Sequence, residues 1–160
     1  MQRREFLKGM FGLSFFGFVE DDFLKDKNIW RVLEISGDIF FPNSKYFKSA
    51  SELGAVSYLK EAMQSGYFKD FDKKIILEGA KILDYKYAFL KAKNKKDVLY
   101  TFVKTKEGSF WSEIFLSYLL EGIFCDPIYG GNKNMQGYRA LNFIPGFPRP
   151  KSRYANGKRV

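Results

Sequence analysis

Apolar residues recur at helical spacing from the first third of the chain onwards. Between Ile29 and Phe40, side chains such as Leu33 fall on one face of a helix, and polar residues occupy the opposite face. Asn28 stands where a helix N-cap is expected, and Pro42 ends the pattern because proline lacks the backbone N–H that a helix needs. The pattern therefore predicts a first helix between Ile29 and Phe40.

The same spacing predicts four further helices. Their expected ranges are 52–64, 69–92, 97–104 and 109–124. Ser109 is the expected cap of the last helix, which is apolar on most sides and carries one polar stripe of Glu113, Ser117 and Glu121. Such a helix usually lies at the centre of its bundle. Because no segment alternates with a period of two between hairpin turns, the sequence predicts an all-α fold, a small bundle of about five helices.

The chain changes character after Phe124. Glycine and proline interrupt this segment at short intervals, and aromatic and aliphatic residues stand between them. The interrupting residues are Pro127, Gly130, Gly131, Gly137, Pro145, Gly146, Pro148 and Pro150. A segment this apolar is unlike a solvated tail, so we expect it to be an extended, turn-rich segment lying against the bundle, against another subunit or against both.

The first 19 residues resemble an export signal. Arg3 and Arg4 precede Phe6 and Leu7, and an apolar run of 11 residues follows. This order resembles a twin-arginine signal, which the Tat translocase reads as an address. Eleven helical residues extend about 16 Å, which is well short of the roughly 30 Å of a bilayer core. The alternative interpretation is an amphipathic N-terminal helix in which the arginine pair is a coincidence.

These patterns divide the chain into four parts. We expect a signal-like segment over residues 1–19, a charged linker over 20–28, a helical domain over 29–150 that ends in a docking segment, and a basic tail over 151–160.

The positive charge of the chain is concentrated at its two ends. The net charge is +9, of which residues 1–8 carry +2 and residues 149–160 carry +5, so the body carries +2. A nucleic-acid-binding domain displays a basic face on its folded body. We therefore expect no nucleic-acid partner.

The residue counts exclude several classes of catalytic site. The chain has no histidine, which removes Ser-His-Asp and Cys-His triads together with histidine-ligated metals and haem. Its single cysteine, Cys125, is too few for an internal disulfide or an iron–sulfur cluster. A buried inert thiol is the expected state of Cys125, and a bond to a partner's cysteine is the alternative. We expect no catalytic, metal-binding or cofactor-binding residue in this chain.

One carboxylate pair remains as a candidate for acid–base chemistry. Glu121 and Asp126 are five residues apart, near the point where the last predicted helix ends. The structural interpretation is that Glu121 accepts hydrogen bonds from amides of the following turn, while Asp126 fixes an Asp-Pro turn. We favour this structural interpretation over a catalytic pair.

The stretch EGIFCDPIYGGNKNMQGYRALNFIPG resembles the C-terminal signature of the gluconate 2-dehydrogenase small subunit family, also called subunit 3 or gamma. The matching residues are Glu121, Gly122, Phe124, Asp126, Pro127, Tyr129, Gly130, Gly131, Asn132, Gly137, Tyr138, Pro145 and Gly146. Tyr138 stands where tryptophan is commoner in that family. The stretch DIFFP, from Asp38 to Pro42, resembles the end of the family's first helix, and the twin-arginine start also fits.

The resemblance implies a role in a membrane-associated, periplasmic sugar or polyol dehydrogenase. In such complexes the large subunit is a flavoprotein of the glucose–methanol–choline type that holds FAD, and a multihaem cytochrome c accepts the electrons. The small subunit carries the Tat signal and assists export or maturation of the large one. Two alternatives stay open: a free-standing periplasmic scaffold or binding protein, and a small enzyme that uses the carboxylate pair.

The C-terminal segment also predicts where a partner docks. Gly130 and Gly131 suit backbone angles or close approaches that a side chain would block. Large rigid rings tend to anchor interfaces, and the expected docking residues are Asp126, Pro127, Tyr129, Gly130, Gly131, Asn132, Tyr138 and Phe143. The alternative is that these rings cover the bundle's own core.

Overall fold

The computed structural model describes residues 24–66 and 68–149. The predicted export-signal residues Arg3, Arg4, Phe6 and Leu7 lie outside the described residues, as does the predicted basic tail. Across the described ranges the fold is all-α, as predicted, with six α-helices and no strand. The helices are α1 (Lys27–Phe40), α2 (Ala55–Gln64), α3 (Asp70–Tyr87), α4 (Lys95–Val103), α5 (Lys106–Phe124) and α6 (Gln136–Ala140).

Helix α5 is the centre of the bundle, as its apolar surface predicts. It packs against each of the other five α-helices in the described part of the chain. Trp111, Phe115 and Leu119 of α5 are fully buried, whereas the predicted polar stripe faces solvent. The C-terminal end of α5 therefore belongs to the helix that packs against every other described α-helix.

Trp111 is held in the core by a hydrogen bond, and it fits there because Gly79 has no side chain. Its Nε1 donates to the carbonyl oxygen of Ile76 on α3 at 3.0 Å, which satisfies the buried indole N–H. A Cβ atom on Gly79 would overlap the indole ring, so only glycine leaves room for Trp111 there. The ring stacks on Phe115 of the same helix with a centroid distance of 5.0 Å, and its hydrogen bond to Ile76 joins α3 to α5.

The first helix begins earlier than the sequence indicated. Asp26, not Asn28, is its N-cap, and the Asp26 side chain accepts a hydrogen bond from the Asn28 amide at 2.8 Å. Leu24 packs against the core, and its carbonyl oxygen accepts a hydrogen bond from the Trp30 indole. The last residues of the predicted 20–28 linker are therefore part of the folded domain.

Helix α3 ends five residues before the predicted boundary at residue 92. Ala88 adopts a left-handed conformation with φ 51°, which stops the helix without the glycine that usually marks such a position. The chain then turns so that Phe89 is fully buried, and the Asp84 side chain accepts a hydrogen bond from the Leu90 amide at 2.9 Å. The apolar pattern continued past Tyr87 because the turn itself belongs to the core.

The other helix starts also differ from the predicted ones. Helix α2 begins at Ala55 rather than residue 52, because both carboxylate oxygens of Asp38 bind Ser51 and hold the preceding residues in a turn. Helix α5 is capped by Thr105 rather than Ser109, and the Thr105 hydroxyl accepts from the Gly108 amide at 3.0 Å. Helix α4 begins two residues before the expected start, with Asn94 as its cap.

A helix that spans a membrane needs about 20 predominantly apolar residues. No helix within residues 24–66 and 68–149 is long and apolar enough to cross a bilayer.

Candidate docking surface

The segment after α5 folds into a compact platform, which we define as residues 126–149. It contains two 3-10 turns, Pro127–Tyr129 and Lys133–Met135, followed by α6. The expectation of a turn-rich segment is confirmed, but most of the platform is folded back rather than extended. Residues 143–146 alone form a longer stretch without turns or helix in this part of the chain.

Asn132 clamps the platform to the end of α5. Its backbone amide donates to the carbonyl oxygen of Gly122 at 2.8 Å, and its Nδ2 donates to the carbonyl oxygen of Cys125 at 2.9 Å. Its Oδ1 accepts from the amide of Gly137 at 2.8 Å. Helix C-termini leave carbonyl groups unsatisfied, and Asn132 satisfies two carbonyls in this region. Asn132 is fully buried, so it acts from inside the platform.

Two glycines allow the platform to approach the helix this closely. A Cβ atom on Gly131 would overlap the carbonyl oxygen of Gly122, and one on Gly137 would overlap the carbonyl oxygen of Ile123. Both obstacles are backbone atoms of α5, which no side-chain rotation can move away. The Gly-Gly-Asn motif and the later glycine are therefore explained by packing of one backbone against another.

An ion pair joins the two ends of the platform. Asp126 Oδ1 accepts from the amide of Ile128 at 3.1 Å, which is the Asp-Pro turn expected from the sequence. Asp126 Oδ2 accepts from Nε and Nη2 of Arg149 at 2.9 and 2.6 Å. The side chain of Asp126 is 13% exposed and that of Arg149 is 22% exposed. The third nitrogen of the Arg149 guanidinium, Nη1, lies 3.1 Å from the sulfur of Met135.

Glu121 has a different partner from the one expected. Its carboxylate accepts a hydrogen bond from the hydroxyl of Tyr58 on α2 at 3.1 Å, rather than from amides of the turn after α5. Burial, and then the nearby negative charge of Glu121, raises the pKa of Tyr58 well above its usual range. The two carboxylates of the candidate acid–base pair therefore have separate structural partners.

Three of the predicted docking residues on the platform are aromatic. Tyr129 and Tyr138 are partly buried, and Phe143 is 53% exposed. The rings of Tyr138 and Phe143 contact each other at a centroid distance of 5.2 Å, and the Phe143 amide donates to the Tyr138 carbonyl oxygen at 2.8 Å. Phe143 is thus presented to solvent in a fixed position.

The predicted docking residues divide into two groups. Gly131 and Asn132 are buried and position the segment, whereas Pro127 and Gly130 are partly accessible beside Tyr129. Gly130 has φ +94°, so its left-handed backbone explains the preference for glycine directly.

Cys125 lies at the junction of helix and platform. The thiol is half-buried, its Sγ is 3.6 Å from the carbonyl oxygen of Gly122, and burial raises its pKa to about 11. A protonated thiol is a poor nucleophile. These features favour the expected inert state of Cys125.

Arg149 is the residue of the candidate docking surface that the sequence did not indicate. It was counted as charge next to the basic tail, and no local pattern pairs it with a carboxylate 23 positions earlier. The sequence does contain one indication of the pair. Asp126 has no basic residue near it in the sequence at the end of α5, and Arg149 follows at the last proline-rich turn.

Comparison with protein families, with curated proteins and with solved structures found no match to this chain.

Proposed function

We propose that this chain is a non-catalytic accessory subunit of a periplasmic, FAD-dependent dehydrogenase of the glucose–methanol–choline type, such as gluconate 2-dehydrogenase. It assists Tat export, maturation or stability of the flavoprotein subunit, which holds FAD. A multihaem cytochrome c that carries haem c accepts the electrons, and this chain is membrane-associated through the complex. No nucleic acid takes part.

One observation carries this proposal. The residues of the C-terminal motif build a platform on the last turn of the central helix, and that platform presents Phe143 to solvent against Tyr138. A chain of this size needs no such construction to complete its core, because the core of α1–α5 already buries Trp111, Phe115 and Leu119. A rigid surface with partly exposed rings is typical of a docking site.

The composition supports a role without chemistry of its own. The chain has no histidine and one cysteine, and that cysteine has a raised pKa. Glu121 and Asp126 are engaged by Tyr58 and Arg149. In this proposal the purified chain is colourless, and flavin absorbance follows the large subunit. A stoichiometric flavin bound to the isolated chain would overturn the non-catalytic assignment.

The proposal is tested by co-export with a partner that lacks its own signal. The reading frames beside this chain are expected to encode such a flavoprotein, and the two chains are expressed together. A double variant that carries both Arg3→Lys and Arg4→Lys keeps the charge but removes the arginine pair that the Tat receptor reads. Both chains should then stay in the cytoplasm, whereas Lys8→Arg, the matched control, should leave export unchanged.

Two results would contradict the proposal. The first is that the flavoprotein still reaches the periplasm normally when it is expressed with the double variant. The second is that the reading frames beside this chain encode no flavoprotein.

A further inference from the structure

The last part of the platform exposes large apolar side chains that the docking rings do not include. Ile144 and Phe147 are 83% and 82% exposed, and Leu141 is also largely exposed. They stand on a stretch with Pro145 and Gly146, where the backbone forms no helix or strand. We call these three side chains the apolar tip. Exposed residues of this size in one short stretch mark a site of interaction.

The tip lies in a region of one charge sign. Residues 127–160 contain seven lysine and arginine residues and no aspartate or glutamate, and one of the seven, Arg149, is paired with Asp126. Of these basic residues, Lys133 and Arg139 are exposed on the platform. An apolar tip within an acid-free, basic segment has the composition that binds anionic lipid surfaces, where apolar groups enter the interface and cations meet the headgroups.

A shallow groove beside the tip adds to this surface. It has a volume of about 360 Å³ and lies between residues 44–48 and α6, the helix that leads directly into Leu141. Lys45 and Arg139 line it. Lys48 also lines it but forms an ion pair with Glu52 at 3.1 Å. Tyr46, on the same loop, is 81% exposed, and amphipathic rings of this kind favour the bilayer interface.

We propose that the apolar tip and the adjacent basic groove form a peripheral binding surface for anionic phospholipid bilayers. Leu141, Ile144 and Phe147 enter the interfacial region, while Lys45 and Arg139 contact the lipid phosphates. This contact is made by the chain itself, so it is additional to any membrane association through a cytochrome subunit, and it does not depend on a flavoprotein partner.

The test uses the purified full chain and lipid vesicles. Binding is measured by flotation with phosphatidylcholine vesicles that contain one third phosphatidylglycerol, and with vesicles of phosphatidylcholine alone. We expect at least tenfold tighter binding to the anionic vesicles, and a marked loss on raising the salt concentration because exposed charges are screened. Equal binding to both vesicle types would overturn the proposal.

Variants distinguish binding through the apolar tip from binding through the apolar N-terminal segment, because they change the tip and leave that segment intact. Ile144→Ser with Phe147→Ser should weaken binding to anionic vesicles at least tenfold. Tyr85→Ser is the matched control, because Tyr85 is equally exposed on α3, and it should bind like the wild type. Unchanged binding of the tip variant would contradict the proposal.

Hydrogen exchange locates the contact directly. Amides over residues 141–149 should exchange several-fold more slowly with anionic vesicles than without them. Unchanged exchange there would show that the tip does not contact the vesicles. A tip-dependent dimer in light scattering without vesicle binding would show that the tip contacts a second copy of the chain, and either result would overturn the proposal.

Discussion

Arg149 donates hydrogen bonds from two nitrogens to a single carboxylate oxygen of Asp126, at 2.9 and 2.6 Å. These residues begin and end the platform, so the pair closes a loop of backbone against the end of α5. The pair lies mostly out of solvent, which reduces the screening that weakens ion pairs at protein surfaces. This contact, with the Asn132 clamp, turns a proline-rich segment into a defined surface.

The first prediction concerns this ion pair. Arg149→Gln removes both donors and leaves a mostly buried carboxylate oxygen without them, which costs about 1–3 kcal/mol. The loss should appear locally, as hydrogen exchange over residues 127–148 that is about tenfold faster or more, with unchanged protection in α5. Arg139→Gln removes an exposed arginine from the same platform and is the control. Equal exchange in the two variants would contradict a structural role for the pair.

The second prediction concerns the Asn132 clamp. Asn132→Asp keeps the shape of the side chain but replaces the Nδ2 donor with an oxygen that faces the carbonyl oxygen of Cys125. We expect a loss of about 1–3 kcal/mol in the free energy of unfolding, measured by chemical denaturation. The same change at the exposed Asn134 should stay within about 0.5 kcal/mol. An unchanged midpoint for Asn132→Asp would show that the clamp contributes nothing.

The third prediction concerns the core. Gly79→Ala places a methyl group where the ring of Trp111 lies, and overpacking of this kind costs about 1–3 kcal/mol. Gly146→Ala is the control, because nothing lies within 4 Å of a Cβ atom there. Thermal unfolding of the two variants checks the prediction. A melting temperature unaffected by Gly79→Ala would mean that Trp111 is packed differently.

The fourth prediction concerns pH. Burial raises the pKa of Cys125 from 9.0 to about 11, so the folded chain keeps this proton where the unfolded chain has lost it. The resulting stability is fully present below pH 9.0 and is lost as pH rises towards about 11. Near pH 8, alkylation by iodoacetamide should be about 100-fold slower in the folded chain than in urea, since two pKa units separate the thiolate fractions. Equal rates would show an exposed, ordinary thiol.

Sequence patterns predicted the parts of this fold that depend on local periodicity. Helical spacing on α2 places Val56, Leu59 and Met63 on one face, which is buried, and α5 is central, as its apolar surface predicted. The helix starts were less accurate, because Asp26 and Asn28 are both good capping residues, and the choice between them depends on where Leu24 packs.

The platform shows the limit of sequence reasoning more clearly. The glycine pair indicated a close approach, but nothing in the pattern identified Gly122 as the residue approached. Likewise, Asn132 was predicted as a docking residue, although it is fully buried. Contacts between distant positions depend on the complete fold, and residue types alone do not specify them.

We propose that the platform binds a flavoprotein, and the affinity of that contact tests the proposal. The most direct measurement is the affinity of the purified chain for the flavoprotein that we expect to be encoded beside it. The wild type is compared with the double variant Tyr129→Ala/Phe143→Ala. Tyr85→Ala with Tyr100→Ala, two exposed rings outside the platform, is the control pair.

Loss of an anchor ring typically costs about 2 kcal/mol or more, so we expect the platform variant to bind at least tenfold more weakly. Its melting temperature should change little, and the control pair should bind like the wild type. Binding that is unaltered in the platform variant, or a bundle that unfolds when these two rings are removed, would contradict the account.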